Sequence, residues 1–243
     1  MLSLILDIGN TNVKLYFFSN GQIYEKSLFT TDTEVLDFLK INPNSNRISL
    51  CMISKVREIS DMLLDYLNSK FIVKILDTKL KLPFEMRYKT PETLGQDRIA
   101  AVAGASLLYP GANALIIDAG TAITYDFLFE GNVYYGGTIS PGVGIRFKAL
   151  NTFTNKLPLL DIDMNNKEIF GQTTNDAIII GVQNGVLLEV NGVIKSYQRK
   201  YKDLVVIFTG GYSFFFEKLI KNRIFAAPDL TAIGLNKILE LNV

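Results

Sequence analysis

Two stretches of the sequence place an aspartate, a glycine and small polar residues directly after a run of apolar residues. The first stretch, residues 7–14, reads DIGNTNVK and follows residues 2–6; the second, residues 118–124, reads DAGTAIT and follows residues 113–117. Turns of this composition present consecutive backbone N–H groups and hydroxyls, which suit phosphate oxygens. Two such turns could grip a polyphosphate from both sides, although one alone would more simply be a hairpin turn with a capping aspartate.

The carboxylate of Asp7 would repel phosphates unless a divalent cation lay between them, so its predicted role is to hold Mg²⁺. Lys14 could add positive charge beside the terminal phosphates. A third glycine-rich stretch, residues 209–211 (TGG), follows an apolar run at residues 204–208. It could let a base or a ribose lie against the backbone, or it could be an ordinary turn between a strand and a helix.

The best candidate for a general base lies in residues 95–98, which read GQDR. The chain has no histidine, so the base must be Asp, Glu, Tyr or Lys, and any metal must have oxygen ligands. An aspartate and an arginine at a helix start could be only an N-cap and a surface charge. However, residues 99–105 are mostly Ala and Gly, which implies close helix packing. Asp97 is therefore the favoured base, and Arg98 is suited to bind a carboxylate or a phosphate.

The two turns belong to a longer repeat, because each is followed by a strand, a second glycine turn and another strand. The aspartate precedes that second glycine by 14 positions in the first copy and by 13 in the second, as one extra residue in the first turn would produce. Thr31 and Glu34 have capping-box spacing, and residues 174–200 predict a long helix. We predict an α/β protein of two similar halves, residues 1–112 and 113–243, that flank a ligand cleft.

The composition limits the possible partners. Of 243 residues 48% are hydrophobic, and 25 Lys and Arg residues nearly balance 24 Asp and Glu residues, which predicts a globular protein without a nucleic-acid or membrane-surface partner. The single cysteine, Cys51, excludes an intramolecular disulfide. Asp7 interrupts the N-terminal apolar run, which is untypical of a signal peptide, and no segment approaches the roughly 18 apolar residues of a membrane span. We therefore expect a cytoplasmic protein.

The order of the motifs closely resembles that of the type III pantothenate kinase family. The motifs are D-x-G-N-T-N-x-K at 7–14, G-Q-D-R at 95–98, D-A-G-T-A at 118–122, G-G-x-I-x-P-G at 136–142 and T-G-G at 209–211. Aspartate-glycine turns occur throughout the acetate kinase, sugar kinase and actin superfamily, and G-Q-D-R narrows the resemblance to this family. The resemblance implies a duplicated ribonuclease-H-like (actin-like ATPase) fold and a homodimer. It also implies ATP-dependent phosphorylation of pantothenate to 4'-phosphopantothenate, the first step of coenzyme A biosynthesis.

The resemblance further implies roles for individual residues. The ATP-binding residues would be Asp7, Ile8, Gly9, Asn10, Thr11, Asn12, Val13, Lys14 and Thr121. The pantothenate contacts would be Tyr88, Gly95, Gln96, Asp97, Arg98 and Thr174, with Thr173 as the alternative to Thr174. Asp97 would be the proton acceptor, and Asp118 would be a ligand of the monovalent cation, K⁺ or NH₄⁺, that the family requires.

Other functions and one structural question stay open at this stage. A non-enzymatic ATPase switch, a regulatory protein on the same scaffold and a kinase for another small hydroxyl substrate would share the phosphate-binding turns. The helix predicted at 174–200 has apolar positions at helical spacing and three glycines, Gly181, Gly185 and Gly192. Its apolar stripe could be buried core or a dimer interface, and the resemblance favours a dimer.

Overall fold

The computed structural model describes residues 2–166, 168–220 and 224–243. Within these ranges the chain forms two β-sheets and seven α-helices, so the predicted α/β class is confirmed. The strands are β1 (Leu2–Ile8), β2 (Val13–Ser19), β3 (Gln22–Phe29), β4 (Leu50–Lys55), β5 (Ile72–Ile75), β6 (Glu85–Met86), β7 (Ala114–Ala119), β8 (Ala122–Phe129), β9 (Val133–Pro141), β10 (Val205–Thr209) and β11 (Phe225–Ala226). The helices are α1 (Asp32–Ile41), α2 (Asp61–Lys70), α3 (Gln96–Leu108), α4 (Val143–Thr152), α5 (Thr174–Lys200), α6 (Ser213–Leu219) and α7 (Leu230–Leu241).

The chain divides into two compact units that are discontinuous in sequence. The first unit consists of Met1–Pro110, Gly131–Tyr135 and Asp229–Val243. The second unit consists of Gly111–Glu130 and Gly136–Pro228. The predicted halves, residues 1–112 and 113–243, stay a prediction, because a grouping of segments into units does not by itself reveal which segments were duplicated.

The first unit contains a five-stranded sheet with the order β3-β2-β1-β4-β5. Strands β1, β2 and β3 pair antiparallel, whereas β4 is parallel to both β1 and β5. The three strands predicted around the first aspartate turn are therefore present, and β4 returns parallel to β1. Helix α1 begins at a capping box, as predicted: the Thr31 hydroxyl accepts from the Glu34 amide at 3.2 Å, and the Glu34 carboxylate accepts from the Thr31 amide at 3.1 Å.

The two faces of this sheet carry different side chains, because residues alternate along each strand. Leu4, Leu6 and Ile8 belong to the apolar core that also contains buried residues of α1 and α2. The alternate positions face the other way, where the Ser3 hydroxyl donates to the side-chain Oδ1 atom of Asn236 in α7 at 2.6 Å. Asp7 therefore lies on the α7 side of the sheet.

Helices α3 and α7 pack backbone against backbone. A Cβ atom added at Gly234 would lie 1.9 Å from the Ala100 carbonyl oxygen, and one at Gly104 would lie 2.3 Å from that of Leu230. Only glycine permits contacts this close. The close packing predicted from the small residues after Arg98 is confirmed, and it gives the start of α3 a rigid support.

The second unit repeats the strand pattern of the first. Strands β7 and β8 form an antiparallel hairpin, β10 returns parallel to β7, and β11 pairs parallel with β10. Helix α5 supplies Val182, Val186, Val190 and Ile194 to the apolar core of this unit. The valine stripe of α5 is therefore buried core.

Helix α5 is also long and apolar enough to cross a membrane, judged by length and composition alone. The prediction that no segment approaches a membrane span was therefore wrong for residues 174–200. The helix is buried along one side in the second unit, at Ile178, Ile180, Val182, Gln183, Val186, Val190 and Ile194. A core helix passes the same test of length and composition, so the finding is weak evidence for a membrane span.

Candidate active site

The first predicted phosphate loop is the tight turn between β1 and β2. The Gly9 amide donates to the Asn12 carbonyl oxygen at 3.0 Å, and Asn10 and Thr11 are exposed at the tip. The strand register pairs Asp7 with Lys14. The turn thus exposes small polar residues and brings one carboxylate and one ammonium group to its base.

The second predicted loop is the equivalent turn between β7 and β8. The Gly120 amide donates to the Ala122 carbonyl oxygen at 3.0 Å, and the register pairs Asp118 with Thr124. Because Asp7 pairs seven positions ahead and Asp118 six, the first hairpin is one residue longer. This confirms the explanation of the offset between the two copies.

Asp7 is half-buried and lies among charged and polar groups of the first unit. Burial has the largest effect and raises the pKa of the Asp7 carboxyl, and the nearby charge of Asp97 raises it further. The positive charge of Lys14 and the hydroxyl of Ser54 act in the opposite direction and lower this pKa. A cation beside Asp7 would favour its ionised form.

Asp97 lies in the first turn of α3, and its neighbours in the chain help to define its position. Its Oδ1 atom accepts from the Arg98 amide at 2.9 Å. The Gln96 Oε1 atom accepts from the Lys55 amide at 2.8 Å and so ties the start of α3 to the end of β4. Gly95 leaves room for the carboxylate, since a Cβ atom added there would lie 2.5 Å from Asp97 Oδ1. The structure thus brings Asp7, Gly95, Gln96 and Asp97 together.

Arg98 and Tyr88 also lie together in the first unit. The guanidinium carbon of the buried Arg98 is 5.8 Å from the centre of the Tyr88 ring. The Tyr88 ring also stacks on the Tyr134 ring, with the ring centres 6.2 Å apart and the planes inclined by 19°. Phe84 contacts Tyr134 edge-on at 5.9 Å. Tyr134 is not among the site residues predicted from the sequence.

The second unit surrounds its loop with glycines. A Cβ atom added at Gly210, whose φ is 89°, would lie 2.3 Å from Asp118 Oδ1. The Gly142 amide donates to the Thr121 carbonyl oxygen at 3.0 Å. Asp118, Thr121 and the Thr209-Gly210-Gly211 turn are therefore neighbours. That this loop and the first one bind a single polyphosphate stays a prediction.

A polar network that the sequence analysis missed holds the segment before Gly142. The Glu189 carboxylate accepts from the Tyr125 hydroxyl at 2.8 Å, the Ser140 hydroxyl at 2.6 Å and the Arg146 guanidinium at 2.6 Å. Burial alone would raise the pKa of Glu189, but these three hydrogen bonds lower it below its usual value. Only the G-G-x-I-x-P-G motif hinted that this segment is constrained.

The two candidate threonines at the start of α5 differ in their contacts. Thr173 is the N-cap: its hydroxyl accepts from the Asp176 amide at 3.2 Å and donates to the Asp176 carboxylate at 2.7 Å. Thr174 is the first helical residue and is exposed. The hydroxyl of Thr173 is thus occupied by capping, which favours Thr174 as the residue available to a ligand.

The donor atoms of the loops suit hard cations. Among the residues that the structure describes, no group of three or more His, Cys, Asp or Glu side chains could hold a metal ion by itself. Mg²⁺ commonly binds one or two carboxylates and completes its shell with substrate phosphates and water. Asp7 fits that pattern, and Asp118 with the surrounding backbone would suit a monovalent cation.

A family model and two relatives match most of this chain. A family model described as type III pantothenate kinase matches residues 3–196. The type III pantothenate kinase of Christiangramia forsetii is 42% identical over 99% of both chains, and that of Cytophaga hutchinsonii is 39% identical over 100% of both.

Two solved structures share the fold at low sequence identity. The activator of 2-hydroxyisocaproyl-CoA dehydratase from Clostridium difficile, with bound ADPNP, has a TM-score of 0.56 at 16% identity and covers 99% of this chain and 96% of its own. The polyphosphate/ATP-glucomannokinase of Arthrobacter sp. strain KM has a TM-score of 0.51 at 13% identity and covers 99% and 98%. The predicted actin-like ATPase fold is confirmed.

Proposed function

Because this chain belongs to the type III pantothenate kinase family, which phosphorylates pantothenate with ATP in coenzyme A biosynthesis, we propose that Asp97 is its general base. Residues 7–14 and Thr121 are the proposed ATP contacts. The observation that carries this assignment is the proximity of Asp97 to Asp7, which is close enough to raise the pKa of Asp7. A base and a phosphate-loop carboxylate in one place are what transfer of a phosphoryl group to a hydroxyl needs.

The proposed chemistry depends on positioning more than on base strength. Phosphoryl transfer passes through a loose transition state, in which the attacking hydroxyl loses its proton late. A carboxylate is a weak base at neutral pH, but it can orient the hydroxyl and accept its proton. The hydrogen bond from the Arg98 amide to Asp97 Oδ1 supports this role, since it fixes the carboxylate.

The negative charge of the phosphates is proposed to be neutralised by Mg²⁺ held at Asp7 and by Lys14. Mg²⁺ bound through Asp7 would neutralise charge on the phosphates, and Lys14, its partner across the hairpin, would add a further positive charge. The half-buried position of Asp7 supports this assignment, because a carboxylate removed from water gains most from a nearby cation.

Pantothenate carries a carboxylate, and Arg98 is the residue proposed to bind it. A buried guanidinium supported by the Tyr88 ring is held in place, which favours planar recognition of a carboxylate. Tyr88, Gly95, Gln96, Asp97 and Thr174 are the other proposed contacts.

Asp118 is the proposed ligand of a monovalent cation, K⁺ or NH₄⁺. Its Oδ1 atom faces the backbone of Gly210, where a side chain would have no room. A carboxylate beside glycine backbone supplies oxygen atoms at close range. These are suitable surroundings for a weakly hydrated monovalent ion.

A homodimer through the exposed face of α5 is also proposed. Gly181, Gly185 and Gly192 are exposed, and a Cβ atom added at any of them would meet nothing within 4 Å, while Leu188 on the same helix is 73% exposed. Close approach of a second helix would cover this surface. A monomer in light scattering at micromolar concentration would contradict the proposal. We also propose a cytoplasmic enzyme. Its near-neutral charge supports the absence of a nucleic-acid or membrane-surface partner.

One coupled assay of ADP release tests the function. ATP, Mg²⁺ and pantothenate, with and without K⁺, are compared with a panel of sugars and other hydroxyl acceptors. We expect turnover with pantothenate alone among the acceptors, and preference for another acceptor would refute the substrate assignment. The Asp97→Asn variant should lose at least about a hundredfold in kcat and still bind ATP, as loss of a general base predicts. Near-normal turnover would show that another group accepts the proton.

A further inference from the structure

Ser54, in β4, has a buried hydroxyl group without a hydrogen-bond partner. The residue is 0% exposed, and within the described ranges only the Ser45 hydroxyl shares this condition. A buried hydroxyl that completes no hydrogen bond destabilises a fold, so each case calls for a physical reason.

The strand register directs Ser54 toward Asp7. Parallel pairing of β1 and β4 sets Asp7 opposite Ser54, and such partners project from the same face of a sheet. The neighbouring pair, Leu6 and Ile53, projects from the other face into the apolar core. The Ser54 hydroxyl thus lies on the same side of the sheet as the Asp7 carboxylate. It is near enough to interact with that carboxyl and lower its pKa, although it does not complete a hydrogen bond to it.

The second copy of the repeat has a hydroxyl at the same register position. Strand β10 pairs parallel with β7, and this pairing sets Thr209 opposite Asp118. Thr209 is 1% exposed. Each loop aspartate therefore has a buried Ser or Thr as its neighbour on the parallel strand. Because the arrangement occurs in both copies, it is not a feature of the packing around Ser54 alone.

The residue after Ser54 connects this strand end to the general base. The Lys55 amide donates to the Gln96 side chain, one residue before Asp97. We propose that Ser54 is a positioning residue, whose hydroxyl donates to the Asp7 carboxylate when nucleotide is bound and fixes its orientation in the phosphate loop. The inference rests on the proposed role of Asp7 in nucleotide binding.

Equilibrium binding of the Mg²⁺ complex of adenylyl imidodiphosphate, measured by calorimetry without turnover, tests the inference. Ser54→Ala should weaken binding by about tenfold, as loss of a hydrogen bond to a charged group predicts. It should not lower the thermal unfolding midpoint of the ligand-free protein, because the hydroxyl completes no hydrogen bond there. Ser54→Thr, which keeps the hydroxyl, should restore most of the affinity, and KM for pantothenate should stay unchanged throughout.

Ser45→Ala is the matched control, since it removes the other buried hydroxyl without a partner. It should leave nucleotide affinity unchanged. Unchanged affinity in Ser54→Ala, or a fall in affinity accompanied by a lower unfolding midpoint, would overturn the positioning role.

A double-mutant cycle with Asp7→Asn separates this inference from the proposed function. If Ser54 acts through Asp7, Ser54→Ala should weaken binding no further in the Asp7→Asn background. Full additivity would overturn the inference and leave the role of Asp7 intact. Normal nucleotide affinity in Asp7→Asn would refute the role of Asp7, and the inference would fall with it.

Discussion

Replacing Gly95 with alanine should separate catalysis from folding. The backbone of Gly95 has φ −57° and ψ 134°, a conformation that alanine adopts without strain. Its carbonyl oxygen accepts from the amides of Arg98 and Ile99, each at 3.2 Å, and these bonds do not depend on the side chain at position 95. The helix start should therefore survive the change.

The added methyl group instead acts on Asp97. Its carbon would lie 2.5 Å from Oδ1, whereas ordinary contact begins near 3.4 Å, so the carboxylate must retreat by about 0.9 Å. A displacement of roughly 1 Å in a reacting group can lower the rate about a hundredfold. Stability should change by less than about 1 kcal/mol, since the lower entropy of the unfolded chain offsets the poorer N-cap.

The assay is kcat at saturating ATP and pantothenate, with a thermal unfolding curve for each variant. Gly95→Ala should lose about two orders of magnitude in kcat and keep its unfolding midpoint. Because the glycine acts through Asp97, adding Gly95→Ala to Asp97→Asn should cost little more. A folded Gly95→Ala variant with full kcat would refute the argument that the position of this carboxylate limits the rate.

Three further changes test other parts of the structure. Asp118→Asn should raise the K⁺ concentration for half-maximal activity more than it shifts the unfolding midpoint, and an unchanged K⁺ titration would exclude the assigned role. Gly234→Ala should destabilise the fold by about 1–3 kcal/mol in urea, because the new methyl meets the Ala100 carbonyl; an unchanged midpoint would contradict backbone contact of α3 and α7. The pKa of Glu189 is lowered on folding, so its stabilising effect is present above its unfolded pKa of about 4.3 and is lost as the pH falls through its lower folded value. The stability gap between wild type and Glu189→Gln should therefore narrow upon acidification below about pH 4, and a constant gap would refute the network.

Local patterns in the sequence predicted much of the fold. The capping box at Thr31 and Glu34 depends only on neighbouring residues, and so do the two aspartate turns. The offset between the copies also followed from the sequence, and the registers of Asp7 and Asp118 now account for it. These features were predictable because each depends on residues close together in the chain.

Features that depend on distant segments were not predictable in this way. The position of Ser54 beside Asp7 follows only from the pairing of β1 with β4, and the position of Tyr134 beside Tyr88 is seen only in the stacking of their rings. The apolar stripe of α5 was ambiguous because periodicity reveals that a face is covered but not what covers it. The structure gives Val186 and its neighbours to the core and leaves Gly185 exposed.

The two copies of the repeat share one arrangement and differ in the residue that comes after it. In both, the loop aspartate pairs with a hydroxyl residue on a parallel return strand. After Ser54 the first copy continues into Lys55, whose amide holds the start of α3 and so brings a second carboxylate near Asp7. After Thr209 the second copy continues into Gly210, whose backbone closes over Asp118. The surroundings of Asp7 suit a cation that is shared with phosphates and lies beside a base. The surroundings of Asp118 suit a cation that is held against the backbone. The different proposed roles of the two aspartates therefore depend on the residue that follows each hydroxyl residue, Lys55 or Gly210.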